Sequence, residues 1–417
     1  MLLIIQWMVC EIKEWVTMLV WHRSPGLALM QRERAWVEVN LTAIAHNVRQ
    51  LKSLLSSSTA LMAVVKADAY GHGATTVAQT VLQAGAGWLG VATIPEGIEL
   101  REAGVESPIL VLGANHTPEQ IRAIAHWQLQ PTLCTPRQAL IFSETLAEVG
   151  HPSPLPVHLK LDTGMSRLGT LWQDAAEFTR LVQRLPHLSI ASVYSHLATA
   201  DDPNPTVMQL QQQRFEQAIA QIRATGISPP QLHLANTAAT LTSDRLHYDL
   251  VRTGLAVYGL YPADHLRHRV NLFPALQVKA RVTQVKTIAA GTGVSYGHQF
   301  VADRTMQIAV VGIGYADGVP RNLSNRISAL VRGQRIPQIG AITMDQLMLD
   351  VSALPNLQEG EVVTLLGQDG RERISADDWA TALGTISWEI LCGFKHRLPR
   401  IAVQNPLPDV LPRNGTG

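Results

Sequence analysis

A lysine closes the apolar run Leu61 to Val65, and a glycine-punctuated turn follows it in the stretch LMAVVKADAYGHG at 61–73. Five apolar residues in a row fit a parallel strand buried on both faces, so Lys66 is delivered where that strand stops. At such a position a lysine can snorkel to water. Desolvated instead, it becomes an amine of lowered pKa, suited to forming a Schiff base with a carbonyl. Polar and ionisable residues recur at the ends of later apolar runs: Lys160 and Asp162, His196, Asn236 and Thr237, and Arg252, with Tyr70 just beyond Lys66. Each alone fits a strand end meeting solvent; their convergence at the same end of several strands points to a shared site. His196 and His233 lie far apart, and no helix pairs histidines or carboxylates at ligand spacing, so no metal site is expected.

The set has what a phosphorylated aldehyde requires. Lys66 offers an amine, Tyr70 and Thr237 offer hydroxyls, and Thr253-Gly254 opens a short helical LAVYG segment whose free N–H groups suit a phosphate. This points to pyridoxal phosphate on Lys66, with Arg252 toward the ring nitrogen. An arginine keeps its proton, so it would donate there and leave the ring a weaker electron sink.

The elements that must position these residues alternate. Strand-like runs at 61–66, 88–93, 108–112, 129–134, 156–162, 188–194, 231–235 and 248–252 are separated by helical patterns such as 75–84, 118–127, 136–149, 171–185 and 206–225, each bounded by Gly or Pro. Eight such repeats predict a parallel (β/α)8 TIM-type barrel with function at the C-terminal strand ends. Before them, AWVEVNL reads as a strand, and Asn40 or Thr42 caps a helix with Ile44, Val48, Leu51 and Leu55 on one face. Near Phe273 the rhythm changes to strand-like runs at 276–289, 306–313, 327–331, 348–351 and 361–366, then one helical pattern at 376–391 and a last strand at 400–403. This predicts a C-terminal mainly-β domain, a sandwich or small barrel. The expected organisation is an extension at 1–34, a strand at 35–42, the barrel at 43–272, the β domain at 273–405 and a disordered tail at 406–417.

The chain has 417 residues, 16% of them charged, with a formal net charge of +1. Such a balance excludes a strong field for nucleic acid or an acidic membrane surface, and an apolar content of 46% fits surface hidden in an oligomer. Three scattered cysteines, Cys10, Cys134 and Cys392, form no disulfide framework, so a reducing cytoplasm is expected. Residues 1–31 are apolar, but Glu11, Lys13 and Glu14 interrupt any spanning run and no basic n-region precedes it. This segment reads as a dispensable extension, with Met30 the initiator.

From about Ala35 to Val403 the sequence resembles the alanine racemases of the fold-type III pyridoxal-phosphate family. The resemblance is carried by AVVKADAYGHG at 63–73, LKLDTGMSRLG at 159–169, YSHLATAD at 194–201, HLANTAAT at 233–240, VRTGLAVYG at 251–259, GVSYG at 293–297, GIGYADG at 312–318, MDQ at 344–346 and RLPRI at 397–401. It implies pyridoxal 5'-phosphate as cofactor, a homodimer with shared sites, and D-alanine supply for peptidoglycan. It also implies that the strand near 35–42 joins the β domain. Lys66 matches the Schiff-base lysine and base on one face of the substrate Cα; Tyr296 matches the opposite-face base, donated by the other subunit. Two opposed bases are what inversion at a carbon requires. His196 matches a residue near that tyrosine and, with Arg252 and His233, belongs to the supporting set. Tyr70, Thr237, Gly254 and Leu255 match phosphate contacts, and Asn236 is grouped with them. Arg167 and Met344 match groups around the substrate carboxylate, and Tyr315 matches a residue at the entrance. Lys160 matches a lysine that the family often carries as a carbamate bracing Arg167. Trp388 departs from the family, which usually has a tyrosine there. Three alternatives follow from the same residues: a racemase preferring serine or another small amino acid, a non-catalytic pyridoxal-phosphate-binding barrel, and a decarboxylase. The last is expected to use a cysteine near its site, and Cys392 lies outside the motifs above.

Overall fold

The N-terminal strand β1 (Ala35–Asn40) runs without a loop into helix α1 (Leu41–Lys52), because the Asn40 side chain accepts from the Thr42 and Ala43 amides and turns the chain at that point. The structure, a computed structural model, describes residues 32–394 and 396–407. Most of the expected extension and most of the expected tail therefore lie outside the described residues.

Eight parallel strands follow: β2 (Ala60–Val64), β3 (Trp88–Val91), β4 (Ile109–Ala114), β5 (Gln130–Leu133), β6 (Leu155–Asp162), β7 (Leu188–Tyr194), β8 (Gln231–His233) and β9 (Leu250–Thr253). Each pairs with the next through β8, and β9 returns to β2 with Val251 opposite Leu61. The Asp249 amide on the Leu232 carbonyl and the Arg252 amide on that of Ala235, both at 3.0 Å, link the remaining pair and close the barrel. The strands carry Leu61, Leu89, Ile109, Leu133, Val157 and Val193 fully buried, which is why their runs are apolar without alternation. Outside lie α2 (Ala74–Gln83), α3 (Ile94–Glu102), α4 (Pro118–His126), α5 (Pro136–Glu148), α6 (Ala175–Gln183), α7 (Thr206–Ala224) and the short α8 (Thr237–Thr242). Starts of α4 and α5 are set by Thr-Pro pairs, with Thr117 accepting from Gln120 and Thr135 from Gln138.

The second domain is built on the long β10 (Leu276–Ile288). With β13 (Met306–Val311), β14 (Ser328–Val331), β15 (Gln334–Ile339), β16 (Leu347–Asp350) and β17 (Val362–Asp369) it forms a ring, because β10 pairs β17 through its first half and β13 through its second. Of the two expected forms, this is the small barrel. Two short strands, β11 (Gly293–Val294) and β12 (Phe300–Val301), form a hairpin beside it. A further strand, β18 (Glu372–Ile374), pairs β17. The N-terminal β1 lies antiparallel on β10, with Ala35 opposite Ala280, and the last strand, β19 (Arg400–Val403), lies parallel on β1. The expected single helix at 376–391 is two, α9 (Ala376–Leu383) and α10 (Ser387–Gly393), because Gly384 caps the first in a left-handed conformation. Strand β15 was not expected, since Pro337 interrupts its pattern. Among the described residues no helix is long and apolar enough to cross a membrane.

One buried charge ties the ends of this domain together. Asp317 has no exposed surface and takes both guanidinium nitrogens of Arg34, at 2.7 and 2.6 Å, together with the Gly314 amide at 3.0 Å. Arg34 also donates to the Gly312 carbonyl. The loop 312–318 is thus pinned from inside, and Gly314 is required there because a Cβ would sit 2.3 Å from the Thr343 carbonyl oxygen. Removing the charge from Asp317 leaves the half-buried Arg34 uncompensated. Asp317→Asn is expected to lower the unfolding free energy by ~2 kcal/mol, read as a lower urea midpoint at unchanged m-value.

Candidate active site

Directly after β2 the backbone does something only glycine does cheaply. Ala67, Asp68, Ala69 and Tyr70 all sit at φ between 53° and 55°, a left-handed turn that costs ~1–2 kcal/mol per residue. Hydrogen bonds from outside the turn hold it. Glu96, in the capping box of α3, accepts the Ala67 amide at 2.8 Å while also taking the amides of Ala92 and Thr93. Asp68 accepts the Ala74 amide at 2.7 Å, and Arg400 donates to the Gly71 carbonyl at 3.0 Å. His72, to which the sequence gives no role beyond the turn, sits beneath it. Its Nδ1 lies 2.9 Å from the Ala69 carbonyl and 3.0 Å from that of Tyr70, so it is the protonated nitrogen and donates to both. Burial pushes this imidazole down to about 4, and its ring packs on Tyr258 at 4.5 Å.

The turn aims Lys66 and Tyr70 into a cavity of about 590 Å³ at the C-terminal ends of the barrel strands. Every expected site residue of the barrel except Asp162 and His233 lines it: Lys66, Tyr70, Lys160, Arg167, His196, Asn236, Thr237, Arg252, Gly254 and Leu255. Burial lowers the Lys66 amine, and the Arg167 charge lowers it further. Lys160 is pushed down to about 7, first by burial and then by Arg252. Four cationic side chains, Lys66, Lys160, Arg167 and Arg252, face a single lining carboxylate, Asp201. Asp162 is spent elsewhere, capping the amides of Gly164, Met165 and Ser166 to shape the turn that presents Arg167. Such a cavity suits an anion.

Its walls are specific. The Gly254 amide donates to the Thr237 hydroxyl at 3.0 Å, and a Cβ on Gly254 would meet the Tyr70 hydroxyl at 2.7 Å. Two hydroxyls and a glycine backbone therefore converge. Asn236 is on the wall, but its side chain caps α8 through the Ala239 amide and donates to the Leu197 carbonyl. Arg252 is buried and its guanidinium is fixed: NH1 donates to His233 Nδ1 at 2.8 Å, and NH2 to the carbonyl of Ser195 at 2.7 Å and to His196 Nδ1 at 3.3 Å. Burial lowers it to about 10, so it stays charged at neutral pH. His233 therefore sits one layer behind the cavity. Tyr194, which sequence reasoning quoted in a motif but gave no task, stacks on His233 at 4.5 Å and carries the Lys160 ammonium 4.6 Å above its ring. Its only sequence signal is an aromatic side chain at the last position of a barrel strand.

From the second domain, α10 brings Trp388 and Cys392 to the same wall. Sequence reasoning left Cys392 outside the site, and the structure corrects this: its helix packs over the left-handed turn, with the Leu391 carbonyl 2.6 Å from where a Gly71 Cβ would lie. Tyr296, Tyr315 and Met344 are not brought to this cavity. They are exposed, at 71%, 41% and 53%, on the β domain. Backbone pairing joins two of them, since the Tyr315 amide donates to the Thr343 carbonyl and the Ala316 amide to that of Met344. Among the described residues no group of three or more histidine, cysteine or carboxylate side chains could hold a metal ion.

A (β/α)8 barrel that gathers a low-pKa amine, a fixed guanidinium and a glycine cradle at its mouth, and adds a β domain, defines a two-domain barrel enzyme. The particular family follows from comparison. Family models of the alanine racemase N-terminal domain and C-terminal domain match residues 39–262 and 275–402. An alanine racemase of Nostoc sp. is 72% identical over 371 residues, covering 89% of this chain and 96% of that protein. One of Synechocystis sp. is 63% identical over 374 residues, covering 90% and 100%. The crystal structure of alanine racemase from Bacillus anthracis with bound L-Ala-P aligns with a TM-score of 0.84 at 36% identity, covering 90% of this chain and 96% of that one. The chain belongs to the alanine racemase family.

The neutral His72 makes the turn sensitive to acid. Its folded value, about 4, lies below the ordinary imidazole value of 6.5, so the unfolded chain takes up a proton across that window while the fold does not. The histidine's contribution is full above pH ~6.5 and is lost as pH falls toward about 4. His72→Asn is expected to flatten the pH dependence of the unfolding free energy between those limits, measured by urea titration; an unchanged slope would contradict a neutral His72.

Proposed function

We propose that the protein interconverts L- and D-alanine with pyridoxal 5'-phosphate by a two-base mechanism, as a homodimer with shared sites, and so supplies D-alanine for peptidoglycan in the cytoplasm. The observation that carries this reading is the convergence of Lys66, Arg252 and the Gly254 cradle on one cation-rich cavity. The donor set fits the cofactor: Tyr70, Thr237, Gly254 and Leu255 would hold the phosphate, with Asn236 shaping α8 behind them, and Arg252 would meet the ring nitrogen. When bound, pyridoxal phosphate supplies an electron-withdrawing ring that acidifies the substrate Cα–H.

The side chains divide the remaining work. Lys66, its amine already lowered by burial, takes or returns the proton on one face. Tyr296 of the partner subunit does so on the other. What supports the shared site is that Tyr296, Tyr315 and Met344 are large, exposed and absent from their own chain's cavity. Arg167 holds the substrate carboxylate by a charge-assisted hydrogen bond, completed by the backbone N–H of Met344 of the partner subunit. His196, held by Arg252 through Nδ1, stands in the cavity, and the family resemblance makes it the supporting group for the partner's tyrosine. Arg252, anchored by His233 and two carbonyls, keeps its proton and would offer only a donor to the ring nitrogen. Lys160, pushed down to about 7, can add its neutral amine nitrogen to the carbon of carbon dioxide and release one proton to water, leaving a carbamate anion to brace Arg167. Cys392 on the wall keeps a decarboxylase in view, but the family membership favours racemisation. Alanine over serine is decided by relative kcat/KM.

Lys66→Ala is expected to lose the visible absorbance of the bound cofactor together with racemisation. Lys66→Ala and Tyr296→Phe, each nearly inactive alone, should on subunit exchange recover roughly a quarter of wild-type activity, because half the dimers are hybrids with one intact site of two. Proven exchange without recovery would rule out sharing. Labelled carbon dioxide should give a carbamate ¹³C signal that rises with pH as the neutral Lys160 amine accumulates, and that is absent from Lys160→Gln.

A further inference from the structure

Behind Arg252 a line of polar side chains runs down the inside of the barrel, one from each of five consecutive strands. Arg252 of β9 meets His233 of β8 at 2.8 Å; His233 Nε2 meets the Ser192 hydroxyl of β7 at 2.7 Å; that hydroxyl meets His158 Nδ1 of β6 at 2.6 Å; and His158 Nε2 meets Gln130 Oε1 of β5 at 2.7 Å. Ser192, His158 and His233 have no exposed surface. Only Gln130 reaches outward, to a second hollow at the barrel's opposite end that contains none of the site residues.

Chemistry gives this line one direction. A guanidinium has no acceptor, so Arg252 must donate and His233 Nδ1 must accept. A neutral imidazole with a lone pair on Nδ1 carries its proton on Nε2, so His233 donates to Ser192. The serine hydrogen is then free for His158 Nδ1, which puts the His158 proton on Nε2, facing the amide oxygen of Gln130. Each interior donor finds one acceptor. Reversing the His233–Ser192 link would leave the His233 ring without a proton, and reversing the Ser192–His158 link would set the His158 Nε2 lone pair against the Gln130 amide oxygen and leave the serine hydrogen without an acceptor in the line. Both rings are buried well enough to stay neutral.

We infer that Ser192, His158 and Gln130 are positioning residues for Arg252: with His233 they form a one-way hydrogen-bond relay that locks the His233 tautomer and so holds the guanidinium at the mouth of the site. The relay reaches from the cavity to the far end of the barrel, so a residue with no surface in the site controls how firmly its cation is held. Its effect on turnover rests on the reading of Arg252 as the group facing the cofactor ring; the hydrogens themselves do not.

Neutron diffraction from deuterium-exchanged crystals of the whole protein reads the relay directly. Deuterium is expected on Nε2 of both His233 and His158, with the Ser192 deuteroxyl pointing at His158 Nδ1; deuterium on Nδ1 of either ring overturns the relay. In the loaded enzyme, Ser192→Ala should lower kcat on the order of tenfold with little change in KM, as a buried N–H loses its acceptor. Should that variant not fold, Gln130→Leu tests the same chain from outside the site: kcat is expected to fall severalfold, and Gln130→Glu, which keeps an acceptor facing His158, to recover most of the loss. Unchanged kcat in both Ser192→Ala and Gln130→Leu overturns the positioning claim. The separate failure of the Arg252 assignment would show as a fully active Arg252→Leu.

Discussion

Four consecutive left-handed residues after a buried strand are an expensive way to leave a barrel, and the rest of the site depends on their being held. The turn reverses the chain so tightly that Lys66 and Tyr70, four residues apart, both face the cavity. Its cost is offset by groups drawn from across the molecule: Glu96 from the next βα unit, Asp68 from within, His72 from beneath and Arg400 from the last strand. That last contact links the domains. Strand β19 reaches Gly71 only because it lies on β1, which lies on β10. The β domain is thus part of what keeps the amine in place, apart from anything it presents to a partner subunit.

The same cavity is electrostatically unfinished in a useful way. Burial lowers Lys66, Lys160 and Arg252, and neighbouring guanidinium groups lower the two lysines further, so the cavity favours an anion. The two groups respond differently. Arg252 remains charged and is tied by four hydrogen bonds to protein atoms, which makes it a fixed donor. Burial and Arg167 lower the Lys66 amine, and Lys160 is pushed down to about 7, so both are drawn toward the neutral form that acts as a base or nucleophile. Division of labour between arginine and lysine here follows from how far burial can push each.

Much of this is legible in the sequence. The barrel was readable because strands buried on both faces leave unbroken apolar runs, and the site because polar residues repeatedly ended those runs. The ring in the second domain was not, since closure depends on one long strand pairing two partners at different halves, which no local pattern records. Cys392 was missed because α10 packs across from another domain, so no spacing in sequence relates it to Lys66. The tasks of His72 and Tyr194 were hidden for a simpler reason: both act by facing backbone or ring atoms, and residue type alone does not say which way a side chain points. Asn236 shows the converse, a polar strand-end residue whose amide serves a helix cap.

The central claim is that the barrel mouth prepares Lys66, among all the lysines, to hold pyridoxal phosphate. Loading the protein with the cofactor, reducing with borohydride and mapping the peptides by mass spectrometry tests it most directly. A single phosphopyridoxyl group on the peptide containing Lys66, at one per chain, is the predicted result. A label on Lys160 or any other lysine in place of Lys66, or no stable label, would contradict the account.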